Sequence, residues 1–324
     1  TIGLLTDKAI ALYKRVPHSD YKQRLTVIKN IRYVKKVVPQ ESIDHTENLK
    51  KYKPDILVHG DDWKKGLLKP IRAKAIKTLK TWGGKLVEPK YTKNISISFM
   101  KQKLTELGNT PDVRRAKLKR LMNAKNIVRI LESHNALTGV IIEKLKIRDK
   151  IELLEFDGMW SSSLTDSATR GKPDNQAVDY STRIQGLNEI FEVTTKPLIF
   201  DADNGGRNEH ISYTVRTLER LGASAICIED KVGIKKNSLF SNQSLSYHDS
   251  IKNFSKKISI AKNSKITEDF FIIARIESFI LGKSVKDAIR RANAYSEAGA
   301  DAILIHSKEK KPNEIFQFAK IFKK

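Results

Sequence analysis

Two aspartates one residue apart follow an apolar run in the segment PLIFDADNGG, residues 197–206. Such a run is typical of a buried strand, and Asp201 and Asp203 would repel each other at its end unless a cation binds them. Glu229 ends a second apolar run in the same way. Three carboxylates without a His or Cys pair at metal spacing favour Mg²⁺ or Mn²⁺ over zinc. The sequence therefore predicts a divalent cation held by Asp201, Asp203 and Glu229, in part through water.

Polar side chains also stand at the ends of the other apolar runs in this part of the chain. The predicted strands are Leu154–Trp160, Pro197–Ala202, Ser224–Ile228, Phe271–Ile276 and Ala302–His306. The residues at their ends are Ser161–Ser163, Asp201 with Asp203, Glu229 with Asp230, Arg275 with Glu277, and His306 with Ser307. Arg275 and His306 would supply positive charge and hydrogen-bond donors to a substrate anion that is bridged to the metal.

Amphipathic helices separate these strands, and the alternation predicts a parallel sheet covered by helices on both faces. Gly222 and Gly299 stand where a glycine that ends a helix belongs. An open doubly wound sheet and a (β/α)₈ barrel both fit this alternation. No glycine-rich dinucleotide fingerprint follows any strand, which favours the barrel. In a barrel the carboxyl ends of the strands share one rim, where active sites are built.

Two loops would complete the site. The segment SSSLTDSATRGKPDN, residues 161–175, is rich in turn-forming residues and predicts a mobile cover that presents Asp174. The segment DKVGIKKNSLF, residues 230–240, offers Lys235 and Asn237. Either loop taken alone is more typical of an ordinary protein surface, so the loops add to the strand ends and do not define a site by themselves.

The composition limits the classes of partner. The 324 residues include 61 Lys and Arg against 37 Asp and Glu, a net charge of +24, which is typical of many nucleic-acid-binding proteins. The lysines are scattered, however, and no zinc-finger or RRM signature accompanies them, so we expect a small-molecule substrate and no nucleic acid. No apolar segment approaches the roughly 18 residues of a membrane span. Cys227 is the only cysteine and no signal peptide is visible, so we expect a cytoplasmic protein without a membrane partner.

From about Lys117 onward, the chain resembles the phosphoenolpyruvate mutase branch of the isocitrate lyase superfamily. Six motifs carry this resemblance in order: ESHNALTG, FDGMWSSSLTDSATRGKPDN, DADNGG, IEDKVGIKKNSLF, ARIESFILG and AGADAILIHSK. Any one of them would be ambiguous, whereas six in order are specific. The resemblance implies a (β/α)₈-type barrel and an enzyme that interconverts phosphoenolpyruvate and phosphonopyruvate with Mg²⁺, as in phosphonate biosynthesis.

The resemblance also implies roles for single residues. Asp201, Asp203 and Glu229 correspond to the Mg²⁺ site, and Asp174 corresponds to a gating-loop aspartate that accepts the phosphoryl group or steadies it in transit. The pocket for the substrate carboxylate corresponds to Trp160, Ser162 and the backbone amides of Ser163 and Leu164. The groups around the phosphoryl group correspond to Lys235, Asn237, Arg275 and His306.

Two related activities stay open as alternatives, phosphonopyruvate hydrolase and C–C lyase. The C–C lyases carry a cysteine as general acid in a KKCGH-like loop, whereas the loop DKVGIKKNS has none and Cys227 lies inside a predicted strand. The hydrolases tend to differ from the mutases at the position of Asn237, so this residue favours the mutase. Ser163 stands where many family members have glycine, a change that leaves the backbone amide in place.

The amino-terminal third predicts a separate α/β domain, residues 1–108, ahead of the mutase-like domain of residues 109–324. Its predicted helices are Asp7–Lys14, Asp20–Lys29 and Leu67–Leu79, and its predicted strands are Val34–Val38, Asp55–Val58 and the segment GGKLVEP. The segments KPDILVHGDDW and YTKNISIS resemble the later part of a cytidylyltransferase-like domain with a Rossmann-like fold. Fused to a mutase, such a domain is consistent with activation of a phosphonate product by CMP transfer.

Features of the cytidylyltransferase family are missing or altered in this part. The His-x-Gly-His motif that binds the triphosphate is absent, Tyr91 replaces an expected arginine, and Asn94 replaces an expected glycine. We therefore expect a partial domain, and no cytidylyltransferase activity from the chain as printed.

The mutase-like part predicts fewer strands than a complete barrel contains. Asp112 to about Lys146 is predicted as a long helical region, with the first strand assigned near Gly139 and the second beginning at Leu154. On this assignment the barrel is truncated after the sixth strand, so we expect a fragment of a longer protein or a degenerate, non-catalytic copy. An unclosed barrel exposes two sheet edges. We expect the printed chain to fold poorly and to turn over little substrate, and the full-length protein to be a homo-oligomer.

Overall fold

The computed structural model describes residues 1–90, 109–149, 152–233, 235–238 and 246–323. The segment YTKNISIS, with Tyr91 and Asn94, lies outside the described residues. In the described part of the chain, no helix combines the length and the apolar character needed to cross a membrane. The chain divides into two compact units. The amino-terminal unit comprises the described residues of Thr1–Leu107, Arg120–Val128 and Leu145–Glu155, and the carboxyl-terminal unit those of Gly108–Lys119, Arg129–Lys144 and Phe156–Lys324.

The amino-terminal unit is built from short strands that pair in twos. Its elements within residues 1–90 are β1 (Ile2–Leu5), α1 (Asp7–Ala11), α2 (Tyr21–Lys29), β2 (Val37–Gln40), α3 (Thr46–Tyr52), β3 (Ile56–Val58), α4 (Lys69–Lys80) and β4 (Lys85–Val87), with 3₁₀ turns at Asp61–Lys64 and Gly66–Leu68. β1 pairs with β2 and β3 with β4, in both cases in parallel. A small core around Trp63 and Leu79 packs α3 and α4 against β3 and β4.

The helices and strands predicted for residues 1–90 are present, with shifted ends. α1 ends at Ala11 rather than Lys14, with Leu12 as its C-cap residue. α2 begins after Asp20, whose carboxylate accepts a hydrogen bond from the backbone N–H of Gln23 at 2.8 Å while the Gln23 side chain accepts one from the backbone N–H of Asp20. This reciprocal cap fixes the start of the helix. The sequence does not predict β1 or α3.

The carboxyl-terminal unit alternates strands and helices. In chain order the elements from residue 109 onward are α5 (Pro111–Ala124), β5 (Ile130–Glu132), α6 (Ala136–Lys144), β6 (Lys146–Asp149), β7 (Glu152–Glu155), β8 (Gly158–Ser161), α7 (Ser163–Ala168), α8 (Tyr180–Val193), β9 (Leu198–Asp201), α9 (Asn208–Leu221), β10 (Ala225–Glu229), β11 (Lys231–Gly233), β12 (Ser246–His248), α10 (Ile251–Ser264), β13 (Phe271–Ile276), α11 (Val285–Glu297), β14 (Ala302–Ile305) and α12 (Asn313–Ile321). The hairpin of β6 and β7 belongs to the amino-terminal unit.

One parallel sheet organises this unit, in the order β14-β13-β10-β9-β8-β5. Each strand lies beside the strand that precedes it along the chain, without a reversal across the sheet. A doubly wound sheet reverses its strand order near the middle, whereas a barrel adds each strand on the same side of the last. The order therefore favours the barrel type, of whose eight strands the described residues supply six.

A continuous core lies between this sheet and its helices. Phe200, Ile226 and Ile272 on the strands are fully buried and pack with helix residues such as Val215. Cys227 on β10 is buried as well, and burial raises the pKa of its thiol. Its position agrees with the expectation that Cys227 is a core residue.

Two predictions for the segment before β8 are wrong. Asp112–Lys146 is not one helical region, because β5 separates α5 from α6. Gly139 lies within α6 and not in the first strand of the sheet. A Cβ atom at this position would lie 3.1 Å from the Thr194 side chain, so the glycine permits α6 to approach the end of α8. The first strand of the sheet is therefore β5.

The predicted strand Leu154–Trp160 is divided between two elements. Leu154 belongs to β7, and β8 begins only at Gly158. Between them, the Asp157 carboxylate accepts a hydrogen bond from the backbone N–H of Arg129 at 2.9 Å, which starts the pairing of β8 with β5. The other predicted strands agree with β9, β10, β13 and β14 to within one or two residues. Gly222 (φ 94°) and Gly299 (φ 105°) adopt the left-handed conformation after α9 and α11, as predicted.

Candidate active site

A cavity of about 220 Å³ opens at the carboxyl ends of the sheet strands. It is smaller than the roughly 300–1,000 Å³ of pockets for drug-sized ligands, and so suits a small metabolite. The predicted site residues that line it are Trp160, Ser162, Ser163, Leu164, Asp174, Asp201, Lys235, Asn237, Arg275 and His306. Asp203 and Glu229 lie next to these residues without lining the cavity. The strand-end residues and the two loops thus meet at one place, as the parallel sheet predicts.

The two aspartates of the DADNGG segment are held by the backbone that follows β9. The Asp203 N–H donates to the Asp201 carboxylate at 3.0 Å, and the backbone carbonyl of Asp203 accepts a hydrogen bond from the N–H of Glu229 at 2.7 Å. Asp203 has φ 48°, a left-handed conformation that aspartate tolerates better than most residues. These bonds hold the three predicted metal-binding residues close together at adjacent strand ends.

Arg275 neutralises two of the three predicted metal-binding carboxylates. Its Nη2 lies 2.8 Å from Glu229 Oε2 and its Nη1 lies 3.5 Å from Asp201 Oδ2. Burial raises the pKa of Glu229 to about 7, against the opposing charge of Arg275. For Arg275, burial alone would lower the guanidinium pKa, but the charges of Glu229, Glu277 and Asp201 outweigh it and raise the pKa well above its usual value. Arg275 is therefore a permanent cation at the cavity.

Lys235 joins the two cover loops to β9. Its ammonium group bonds to Asp203, lies 3.4 Å from Asp174 Oδ1 and donates to Ser163 Oγ at 3.1 Å. The Asn237 amide donates to Asp174 Oδ2 at 3.4 Å. Burial alone would lower the pKa of Lys235, but the charges of Asp203 and Glu229 outweigh it and raise the pKa. The loop of residues 161–175 and the loop that carries Lys235 are thereby tied together over the cavity.

Trp160 lies on β8, which ends at Ser161 and is followed closely by α7. Ser162 is the cap residue of this helix and Ser163 is its first residue. The neighbouring Ser161 hydroxyl donates to Asp166 at 3.0 Å, and the Arg183 Nε–H donates to the same carboxylate at 2.9 Å. This buried pair fixes the turn that places Ser162, Ser163 and Leu164 against the cavity.

The carboxylates of Asp201, Asp203 and Glu229 have the donor chemistry of a magnesium site, since hard oxygen ligands are those that the ion prefers. One of their oxygens, Glu229 Oε2, is buried and accepts no hydrogen bond although Arg275 lies close to it. Across the described ranges, no three His, Cys, Asp or Glu side chains are grouped so that they could hold a metal ion by themselves. Mg²⁺ usually keeps several water ligands, so this donor set fits an ion bound in part through water.

Four residues near the cavity were not among the predicted site residues. Glu132, Ser238 and Leu304 line it. Glu132 lies on β5 opposite Trp160. It could not be predicted from the sequence because its strand is only three residues long. Glu277, two residues after Arg275, was predicted only as a polar strand end. Its side chain is fully buried and contacts Arg275, Ser238 and His306.

The other acidic strand end, Asp230, serves the scaffold. Its carboxylate accepts hydrogen bonds from the Tyr295 hydroxyl at 2.7 Å and from Arg291 at 3.1 Å, and it also accepts the backbone N–H of Glu277 at 2.9 Å. Asp230 thus connects β10 to α11, whereas its neighbour Glu229 contacts Arg275 at the cavity.

Family models match both parts of the chain. A model described as cytidylyltransferase-like matches residues 2–116, and the model for phosphoenolpyruvate phosphomutase matches residues 118–324, which is more than half of the chain. The chain belongs to the phosphoenolpyruvate phosphomutase family. Membership confirms the resemblance that the six ordered motifs predict, and the second match confirms the resemblance of the amino-terminal part to the cytidylyltransferases.

Relatives in this family carry more than one activity. The chain is 36% identical to a phosphoenolpyruvate phosphomutase of Tetrahymena pyriformis over 209 residues, 64% of this chain and 66% of that protein. It is 38% identical to a phosphonopyruvate hydrolase of Variovorax sp. (strain Pal2) over 193 residues, 59% of this chain and 66% of that protein. The chain thus spans just under two thirds of the length of these two relatives.

A solved structure of the phosphoenolpyruvate phosphomutase superfamily supports the architecture of the carboxyl-terminal unit. The crystal structure of a phosphonopyruvate hydrolase in complex with oxalate and Mg²⁺ is similar with a TM-score of 0.57 and 33% sequence identity. The similarity covers 67% of this chain and 70% of that one. The oxalate and the Mg²⁺ are properties of that hydrolase.

Proposed function

We propose that the full-length protein is a phosphoenolpyruvate mutase that interconverts phosphoenolpyruvate and phosphonopyruvate. The observation that carries the proposal is the convergence of Asp174, Lys235 and Asn237, from two loops, with Arg275 and His306, from two strand ends, around one small cavity. The reaction is an isomerisation: the phosphorus–oxygen bond breaks and a phosphorus–carbon bond forms within one substrate, or the reverse. It needs cations around the phosphoryl oxygens and a cover that excludes water.

The cationic and donor groups of the cavity would bind the phosphoryl group and the enolate. Arg275 and Lys235 keep their charge at any physiological pH, because the buried acids beside them raise the pKa of both groups. His306 and Asn237 add hydrogen-bond donors from other sides of the cavity. Charge that develops on the enolate or on the phosphoryl oxygens would thus meet groups that are already in place.

The substrate carboxylate would lie at the opposite end of the cavity, beside Trp160 and Ser162 and against the backbone amides of Ser163 and Leu164. Lys235 contacts Ser163 Oγ at 3.1 Å, so the carboxylate end and the phosphoryl end of the cavity are connected through this side chain. A substrate that bridges the two ends would hold the cover loop in place.

Asp201, Asp203 and Glu229 would hold Mg²⁺, which when bound supplies positive charge to the substrate oxygens. Arg275 and Lys235 contact these carboxylates and offset part of their charge. The buried oxygen Glu229 Oε2, which accepts no hydrogen bond, supports this assignment. Mn²⁺ has the same ligand preference and would bind at the same place.

Exclusion of water from the phosphoryl group would determine whether the enzyme acts as a mutase or as a hydrolase. Asp174 is nearly buried in the cover loop, and its contacts with Lys235 and Asn237 hold that loop over the cavity. In this position Asp174 would accept or steady the phosphoryl group while the loop keeps bulk water out. Asn237 supports the mutase over the hydrolase, because the hydrolases tend to differ from the mutases at this position. Its amide contacts Asp174, as Lys235 of the same loop does.

The second candidate function is phosphonopyruvate hydrolysis to pyruvate and phosphate. It is supported by the identity to the hydrolase of Variovorax, which is as high as the identity to the mutase of Tetrahymena. The two activities share the cavity and differ in whether water reaches the phosphoryl group. A C–C lyase is the weaker alternative, since Cys227 is buried in β10 and is not among the residues that line the cavity.

Phosphorus NMR separates these functions in one experiment. The full-length protein is incubated with phosphonopyruvate and Mg²⁺, and the mutase predicts a growing phosphoenolpyruvate signal that stops when the ion is chelated. Growth of inorganic phosphate with pyruvate in its place would establish the hydrolase. An unchanged spectrum at high enzyme concentration would reject both.

We also propose the larger architecture that the sequence suggests. The division into residues 1–108 and 109–324 is supported by the two family models, which change over between residues 116 and 118, and by the compact units, which first change over between Leu107 and Gly108. The described residues of Arg120–Val128 and Leu145–Glu155 depart from this division, because they belong to the amino-terminal unit. The one-directional strand order supports a barrel that two further strands would close, beyond the described edge strands β14 and β5. A homo-oligomer of the full-length protein is a part of the same proposal and is tested by light scattering.

A further inference from the structure

Glu277 is a fully buried carboxylate whose side-chain partners line the cavity. Its Oε1 accepts a hydrogen bond from Arg275 Nε at 2.5 Å and lies 2.8 Å from His306 Nδ1. Its Oε2 accepts one from the Ser238 hydroxyl at 2.7 Å, and Lys231 Nζ lies 3.8 Å from the same oxygen. Arg275, His306 and Ser238 all line the cavity, whereas Glu277 itself does not.

These contacts require an ionised carboxylate. Burial alone would raise the pKa of Glu277, but the hydrogen bond from His306 and the charges of Arg275 and Lys231 outweigh it and lower the pKa. An ionised carboxylate has no proton to donate, so Glu277 is the acceptor in each of these contacts and the partner is the donor. The proton between Glu277 and His306 therefore sits on His306 Nδ1, and the other ring nitrogen, Nε2, is left to meet a ligand.

The same carboxylate limits the freedom of Arg275. A guanidinium group is planar, and Arg275 is bonded through Nε to Glu277 while Nη1 and Nη2 approach Asp201 and Glu229. Contacts on both edges of the plane fix its rotation about the side-chain axis. Without Glu277, the guanidinium would keep its contacts with the two predicted metal-binding acids and the hydrogen bond from Nη2 to Ser238 Oγ at 3.3 Å.

Other buried acids of the carboxyl-terminal unit have partners of a different kind. Glu219 accepts hydrogen bonds from the backbone N–H groups of Ile266 and Thr267 and from the Thr267 hydroxyl, and so holds a loop. Asp230 connects β10 to α11. Glu277 differs from both because its side-chain hydrogen-bond partners are residues that line the cavity.

We propose that Glu277 is a positioning residue for the site: it fixes the plane of the Arg275 guanidinium and holds the His306 ring through Nδ1. Nε2 is then the ring nitrogen left for the substrate anion, to which it donates when the ring carries a second proton. The proposal rests on the mutase-like function of the same cavity. Glu277 does not touch the substrate, and it acts through Arg275 and His306.

The first test reads the position of the His306 proton and needs no substrate. The full-length protein is labelled with ¹⁵N-histidine, its seven histidines are resolved by long-range ¹H–¹⁵N spectra at neutral pH, and His306 is assigned with His306→Gln. We expect a proton on Nδ1 of His306. A His306 ring that carries its proton on Nε2 alone would overturn the proposal. In Glu277→Leu, which has no acceptor, Nδ1 is expected to lose this preference.

The second test measures anion binding by calorimetry with oxalate, a dicarboxylate probe, in the presence of Mg²⁺. Glu277→Gln keeps one acceptor oxygen and Glu277→Leu keeps none, so affinity is expected to fall by about 10-fold in the first and about 100-fold in the second, the range found for outer partners of site residues. Glu219→Gln, a buried acid remote from the cavity, is the matched control and is expected to bind oxalate as the wild type does. Equal affinity in wild type, Gln and Leu variants would overturn the proposal.

The two tests also separate this inference from the proposed function. If phosphonopyruvate is not converted but His306 carries its proton on Nδ1 and oxalate affinity follows the graded order, the reaction is wrong and the positioning role stands. If conversion is observed but neither the position of the His306 proton nor the affinity for oxalate changes in the Glu277 variants, the proposed reaction is correct and the positioning role is wrong. Should Glu277→Leu fail to fold, the wild-type spectrum and Glu277→Gln still decide.

Discussion

The carboxyl-terminal unit gathers charged side chains around a cavity, whereas the amino-terminal unit gathers polar aromatic side chains into a stack. In the first, Arg275 near the end of β13 and Lys235 in the loop after β11 pair with buried acids beside the cavity. In the second, the rings of His59 and Trp63 stack at 3.8 Å, and His45 meets both of them edge-on. Both groups contain titratable residues with shifted pKa values, and residues of the first line a cavity.

This contrast shows how a functional site can be distinguished from a structural cluster of side chains. In the stack, Trp63 is almost fully buried and its indole N–H donates to Glu88 at 2.7 Å, while His59 Nδ1 lies 2.8 Å from the backbone carbonyl oxygen of Gly60. At the cavity, Glu229 Oε2 and Asp174 Oδ1 are buried oxygens that accept no hydrogen bond. Perturbed groups mark a functional site when they also line a cavity and keep bonding capacity for a ligand.

Replacement of Arg275 is expected to have the largest effect. Arg275→Met leaves the buried charges of Glu229 and Glu277 without their main partner, and breaking a buried pair in this way costs about 3–5 kcal/mol. Loss of a preorganised cation is expected to slow conversion by about 100- to 1,000-fold. Urea denaturation and phosphorus NMR measure the two effects. Arg290→Met, on an exposed arginine of α11, is the control and should change neither.

Asp174→Ala is expected to lower activity strongly and to change stability little. Asp174 lies in the cover loop and its contacts are with Lys235 and Asn237, so its loss misplaces the loop and lowers conversion by about 100-fold or more. Lys235 keeps its bond to Asp203, so the free energy of unfolding should change by less than about 1 kcal/mol. Mg²⁺ binding, measured by calorimetry, should persist. A variant that converts substrate at the wild-type rate would remove Asp174 from the site.

At the aromatic stack, we expect a change in pH to affect stability and not catalysis. Burial, followed by the nearby His59, lowers the pKa of His45 to about 4 from 6.5. The unfolded chain therefore binds a proton more tightly than the folded one, and the stability contributed by neutral His45 is complete above pH 6.5 and is lost as pH falls toward 4. The full loss is about 3 kcal/mol. Urea unfolding followed by tryptophan fluorescence should show this slope, and His45→Phe should abolish it.

The matched control for that slope is His210→Asn, on an exposed histidine at the start of α9. It should leave the pH dependence of the unfolding midpoint unchanged. A His45→Phe variant with the wild-type slope would show that the stack does not keep His45 neutral.

The smallest effect is expected at Glu88. Hydrogen bonds from Arg72 at 2.7 and 2.9 Å, with burial opposing them, lower the pKa of Glu88 to about 2. Because this carboxylate is ionised more readily in the folded chain, its stabilisation is present above pH 4.5 and disappears as pH falls toward 2. Glu88→Gln should lower the unfolding temperature slightly at pH 7 and should have the wild-type value at pH 2. Unchanged melting at both pH values would show that the ion pair contributes nothing.

Much of the sheet could be predicted because its strands are buried on both faces. β9, β10 and β13 are nearly unbroken apolar runs that end in polar residues, and such runs identify both the strand and the end that carries the site. β5 could not be found in this way: it has three residues at the edge of the described sheet, partly exposed, inside a segment with helical periodicity. The error at Gly139 has the same origin, because a glycine that serves close helix packing looks like a break in the helix.

The site residues divide in a similar way. Asp201 and Arg275 lie at or near the carboxyl ends of their strands and His306 follows β14, so the sequence alone places them together. The contact of Asp174 with Lys235 and Asn237 depends on how two loops fold, and only the family resemblance pointed to it. Glu277 was visible as a polar strand end, but its role depends on partners from β14 and the loop after β11, which no local pattern encodes.

The central claim is that the cavity at the strand ends is the place where an enolpyruvate and a hard cation bind. A crystal structure of the full-length protein grown with Mg²⁺ and oxalate tests this most directly. We expect oxalate between Trp160 and Arg275, with Mg²⁺ beside Asp201 and Glu229. Oxalate and Mg²⁺ bound elsewhere, with Arg275 still paired to Glu229 and the cavity filled only by water, would contradict it.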